Sequence, residues 1–248
     1  MENSTNHRNF TSTVRQDSTL LADIVPFLVA LNIFLSITAC LGNALILIAL
    51  RKVSSVHPPT KLFFQCLAIT DLCVGFIVHP LLVLFFMSTV PKVFNCVKDA
   101  VIATSLILCS TSILTSTAIS VDRLLALLLG LRYRHAVTVN RVRVVLTCFW
   151  LTGVLAVLLY FFVSLLISMS LAVVLAFLSI VVSIFSYTKI FLKLNLKLSQ
   201  SHAHQGQPNR GGIPLNIARY KKMVSSIAWV QLALVVCYLP YIVVRLFK

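Results

Sequence analysis

The sequence predicts an all-α fold, a polytopic transmembrane helical bundle, and three observations carry that prediction. From Val144 to Thr188 the chain runs 45 residues without an Asp, Glu, Lys or Arg. Hydrophobic residues make up 59% of the whole and charged ones 11%, where a soluble domain carries roughly a quarter charged. Lys and Arg also gather in alternate connections between the apolar runs, the asymmetry that orientation in a bilayer imposes.

A helical crossing of the hydrocarbon core takes about 20 apolar residues. The first run, Ile24–Leu50, is one crossing, and Arg51, Lys52 and Lys61 follow it. The second, Lys61–Met87, is followed only by Lys92 and Lys98. The third, Cys96–Leu128, leads to Arg132, Arg134, Arg141 and Arg143. The uncharged stretch is too long for one span, so it predicts two, Val144–Val163 and Ile167–Thr188, joined by a very short turn. After the fifth come Lys189, Lys193, Lys197, Arg210, Arg219, Lys221 and Lys222, and Met223–Val244 makes a sixth crossing. All three basic loops fall on one side only if the uncharged stretch crosses twice. Backbone groups in lipid must be satisfied within the segment, so the spans are helices. No alternating polar lining supports a barrel.

The basic loops then face the cytosol, and the amino terminus faces outward. Residues 1–23 form an extracellular segment and residues 24–248 the membrane domain. Two sequons, Asn3-Ser4-Thr5 and Asn9-Phe10-Thr11, suit glycosylation of that segment. The net charge of +15 is mostly loop asymmetry and suits anionic membrane lipids; no folded basic domain points to nucleic acid. Of seven cysteines six lie within the spans and Cys96 stands at the outer start of the third, with no second outward cysteine to pair with, and no spacing suggests zinc.

Ionisable groups inside spans cost about 2.5–3.5 kcal/mol each on insertion scales and are candidates for function. Asp71 lies mid-span with no basic residue within a turn, so it needs a polar neighbour such as Asn43 or a serine, or a bound cation. Asp122-Arg123 sits near the cytosolic end of the third span, and Pro240 kinks the sixth. The six His are scattered, and His79 beside Pro80 reads as a satisfied polar neighbour, so nothing clusters as a catalytic site. The chain is read as no enzyme. Internal repeats of the transporter kind and an arginine ladder are also missing, which counts against a transporter or channel.

Gly42-Asn43, Leu67-Ala68-Ile69-Thr70-Asp71-Leu72, Ser120-Val121-Asp122-Arg123-Leu124, Trp150, Tyr187 and Cys237-Tyr238-Leu239-Pro240-Tyr241 occur one per span and in order. Together they resemble the rhodopsin-like (family 1, class A) G protein-coupled receptors. The resemblance covers residues 24–248 and implies six of the seven receptor helices, the chain stopping before the seventh. It implies a plasma-membrane receptor that passes the signal of an extracellular ligand to a heterotrimeric G protein by outward movement of the sixth helix. Asp71 and Ser112 would hold a structural sodium ion, with no other cofactor. Asp122, Arg123, Tyr133 and Tyr187 would serve G protein coupling. Tyr238 would be the switch and Pro240 the hinge; Ser105, Cys109 and Tyr241 would line the ligand pocket. Ser105 stands where an amine receptor needs a carboxylate, so a biogenic amine is not expected. Asp99, nearby but higher, reads as a solvated helix-start charge. Leu124, Tyr238, Ser179, Leu234 and Tyr220 depart from the family pattern, and Tyr220 leaves the resting lock without an acidic partner. The short turn between the fourth and fifth spans resembles the melanocortin, cannabinoid, lysophospholipid and adenosine branch. A receptor dimer is among the partners the resemblance allows, and a shortened non-signalling chain that modulates full receptors is the alternative function it leaves open.

Overall fold

The computed structural model describes residues 2–52, 56–88 and 90–203. The sixth predicted crossing, and with it Tyr238, Pro240 and Tyr241, lies outside the described residues. Among those described there is no strand, and five stretches are long and apolar enough to cross a membrane.

Helix α1 spans Glu2–Lys52, with its apolar part from Ile24 onward. It thus carries the expected first crossing, with residues 2–23, Asn3 and Asn9 included, continuing the same helix. The second crossing is built from α2 (Pro58–Cys73), a π-helical turn (Val74–Val78) and α3 (His79–Met87). A continuous α-helix was the expectation here, and Pro80 explains the difference. Proline offers no amide proton and its ring crowds the carbonyl four residues back, so the helix widens by one residue just before it. The widened turn frees a carbonyl at Gly75, and Ser36 Oγ on α1 donates to it at 2.7 Å. Gly75 is buried because α1 passes so near: an added Cβ would meet Ala39 Cβ at 2.9 Å.

Helix α4 (Pro91–Leu129) is the central element. Prolines at the first turns of α2 and α4 sit where the missing N–H costs no helical bond. A 3-10 turn (Gly130–Arg132) and the one-turn helix α5 (Tyr133–Ala136) lead into α6 (Val139–Phe162), and α7 runs Leu165–Ala203. The uncharged stretch therefore does cross twice. Its reversal takes two residues, Val163 and Ser164, whose amides both donate to Leu159 O at 3.1 and 3.0 Å. Ser164 Oγ accepts the amide of Ile167 and caps α7, and Ser168 Oγ donates to Ala156 O at 2.7 Å.

Phe63 of α2, Ile119 of α4 and Val142 and Leu146 of α6 form one buried cluster, and Leu124 with Ile190 of α7 a second. Outside, Phe76 is 74% and Phe162 83% exposed, whereas Thr70, Thr111, Thr115 and Ser120 are fully buried. That arrangement reverses a soluble protein. Lipid solvates the outward apolar side chains, while hydroxyls such as those of Thr70, Thr111 and Ser120 find partners between and along helices. Thr111 donates to Ile107 O at 2.8 Å and Ser120 to Ser116 O at 3.1 Å.

Candidate functional site

Two polar sites lie along α4, one at the Arg123 end and one about three turns away around Asp71. At the first, Gly130 ends α4 with φ +52, a left-handed conformation that costs glycine little. The chain reverses there, and α5 brings Tyr133 back to Asp122, eleven residues earlier. Tyr133 Oη donates to Asp122 Oδ1 at 2.5 Å, and Thr60 Oγ1 of α2 donates to Oδ2 at 2.8 Å. The two hydroxyls are 3.0 Å apart. Asp122 is only 3% exposed, so this pair of donors replaces the water its charge would otherwise take. The His57 ring lies 5.2 Å from that of Tyr133.

Arg123 follows on the half-buried face, its Cζ 5.4 Å from the Phe64 ring centroid, a cation–π arrangement. Tyr187 of α7 approaches the same region and shares a 2.6 Å hydrogen bond with Ser120. Lys193 Nζ donates to Leu127 O at 3.1 Å, satisfying a carbonyl of the last turn of α4. The structure thus gathers Asp122, Arg123, Tyr133 and Tyr187 at one end. It adds Thr60, which sequence reading missed because an ordinary Thr near a helix start carries no signal of its own. It adds Leu131 as well, 95% exposed between Gly130 and the exposed Arg132.

At the second site Ser112 Oγ donates to Asp71 Oδ1 at 2.8 Å and sits 2.8 Å from Thr70 Oγ1. Asn43, the other neighbour considered for Asp71, turns away and donates to Ala39 O at 2.9 Å. A carboxylate with two hydroxyl oxygens is a hard donor set and fits a small hard cation. Among the described residues no three His, Cys, Asp or Glu side chains converge.

Farther along, His79 Nδ1 is 2.9 Å from Asn32 Oδ1, so the histidine has the polar partner expected of it. Ser105 and Cys109 lie half-buried one turn apart on α4. Asp99 differs from expectation. It is half-buried, and Tyr160 Oη of α6 donates to its Oδ1 at 2.6 Å, because α6 passes close enough to cover it.

The chain matches the family model described as 7 transmembrane receptor (rhodopsin family) over residues 42–166, half its length. It is 30% identical over 136 residues to the adenosine receptor A3 of Canis lupus familiaris, covering 55% of this chain and 42% of that one. It is also 30% identical over 122 residues to the adenosine receptor A2b of Homo sapiens, and 33% to that of Bos taurus. Those two matches cover 49% of this chain and 36% of each receptor, so the chain spans roughly two-fifths of the length of the curated relatives it matches. The chain belongs to the rhodopsin family of seven-transmembrane receptors, and it is a receptor rather than an enzyme.

Proposed function

With membership of that family as the premise, we propose that this chain carries the signal of an extracellular ligand to heterotrimeric G proteins at the plasma membrane, through outward movement of its sixth helix. The observation that carries the reading is the Asp122 cluster. A buried carboxylate held by Tyr133 and Thr60 stands beside Arg123, at the end where Arg132, Arg134, Arg141 and Arg143 are exposed. Those arginines mark the cytosolic face. Arg123, beside that carboxylate and over the Phe64 ring, is the group offered to a partner, with Tyr187 close by. Leu131 gives that partner an apolar contact in an otherwise charged loop.

On this reading residues 1–23 are extracellular and bear glycans at Asn3 and Asn9, and the basic face rests on anionic lipid. Asp71 and Ser112, with Thr70, would hold a sodium ion, whose charge would favour the resting packing of α2 against α4. Ser105, Cys109 and Tyr241 line the ligand pocket, Tyr238 is the switch beneath it, and Pro240 is the hinge. The adenosine receptors among the relatives it matches make a nucleoside the first ligand to try; an amine is disfavoured by Ser105.

The test is second-messenger output in cells expressing the chain, with and without adenosine. Arg123→Ala, at equal surface level, is expected to remove at least nine-tenths of any signal above mock cells, about 1.4 kcal/mol or more of coupling. A signal untouched by that change sinks the coupling role. Co-expression with a full-length relative separates an autonomous receptor from a chain that acts within a receptor dimer.

A further inference from the structure

The end of the bundle opposite Arg123 holds a buried-edge contact that the coupling reading leaves unused. Residues 91–96 of α4 are all exposed, and from Val97 inward the helix becomes half-buried. Asp99 stands at that boundary. Its carboxylate takes the Tyr160 hydroxyl at 2.6 Å, within the short range typical of a charged acceptor, and among the described residues no ion pair reaches it.

The seam below explains why the two meet. Gly153 of α6 lies so close to α4 that an added Cβ would touch Ile107 Cα at 2.9 Å and Ser110 Oγ at 3.0 Å. Two turns along the same face of α6 is Tyr160, and Ala156 between them is buried. The helices are thus in contact at Gly153 and diverge only as far as a tyrosine reaches at Asp99. Tyr160 is also two residues before the end of α6, where the chain turns back through Val163 and Ser164. Ser168 ties α7 to Ala156 at the same level, and the Phe94 ring of α4 lies 4.7 Å from Phe85 of α3.

We propose that Tyr160 and Asp99 form a positioning pair that holds the outer turns of α4 to the α6–α7 hairpin and so sets the mouth of the ligand pocket. The inference deepens the receptor reading and rests on it for the word ligand; the contact itself does not depend on coupling. The two-residue reversal between α6 and α7 lays no long loop over this end, and the Tyr160–Asp99 bond is the hydrogen bond that joins the outer part of α4 to the hairpin.

The experiment is hydrogen exchange by mass spectrometry on the full chain in lipid nanodiscs. Tyr160→Phe keeps the ring and removes the donor; Asp99→Ala removes the acceptor; Asp99→Asn keeps an acceptor oxygen in place. Either of the first two is expected to speed exchange of residues 97–103 roughly 10- to 100-fold. Residues 113–125 should be unchanged, the double variant should go no further than either single one, and Asp99→Asn should stay near the parent. Unchanged exchange in Tyr160→Phe, additive effects in the double variant, or acceleration spread equally over 113–125 would each overturn the proposal. A silent receptor with the predicted exchange pattern would instead count against the coupling reading alone.

Discussion

Tyr133 and Thr60 matter because Asp122 has no water to fall back on. Each donates to a carboxylate that is almost wholly covered, and hydrogen bonds to charged groups contribute about 1.5–3 kcal/mol. Tyr133→Phe leaves the ring beside His57 and removes the shorter of the two bonds. The expected outcome is basal second-messenger output several-fold above the parent at matched surface level. Basal output equal to the parent's would show that the Tyr133–Asp122 bond does not restrain the resting state. Asp71 makes a second prediction at this scale. A bound ion stabilises by mass action, so the parent should melt at higher temperature in sodium than in choline, by an amount equivalent to about 1–3 kcal/mol. Asp71→Asn should melt at one temperature in both salts. Equal melting of the parent in both would dismiss the ion. Asp71 and Asp122 were legible in sequence, because a charge within an apolar run announces its own cost. Thr60 was not, since a hydroxyl costs little and gains meaning only from what lies opposite.

The helices divide by how closely they approach. Gly153 faces the backbone of Ile107, which cannot move aside, whereas a Cβ at Gly42 would meet nothing within 4 Å. Gly153→Ala should therefore cost about 1–3 kcal/mol as overpacking and lower the surface level, while Gly42→Ala should be neutral within about 0.5 kcal/mol. Thermal melting of the two variants side by side gives the check, and equal melting would show that the α4–α6 seam tolerates spreading. The apolar runs placed five crossings with bounds up to eight residues from those of the spanning stretches, since lipid dictates their length and composition. The π turn was harder to see. Pro80 was plain in the sequence, but whether a proline kinks a helix or widens it depends on a neighbour such as Ser36 that can take the freed carbonyl. Asp99 was misjudged for a similar reason: sequence spacing on α4 says nothing of a tyrosine 61 residues later.

For the molecule as a whole, orientation decides everything that coupling needs. A tag placed at Gln200–Gln207 should be labelled only after cells are permeabilised, and enzymatic deglycosylation should sharpen and lower the band through Asn3 and Asn9. Labelling of the tag on sealed cells would put Arg123 on the wrong side for a G protein. The order of motifs made the family legible from sequence, because each motif sits at a fixed depth in its own crossing; the ligand was not, because a pocket is a shape shared among several helices. The reversal at Val163 and Ser164 has a further bearing on how the chain is seated in the bilayer. Two residues leave α6 and α7 no freedom to part, so a defect that displaces either helix from the bilayer is expected to carry the other with it.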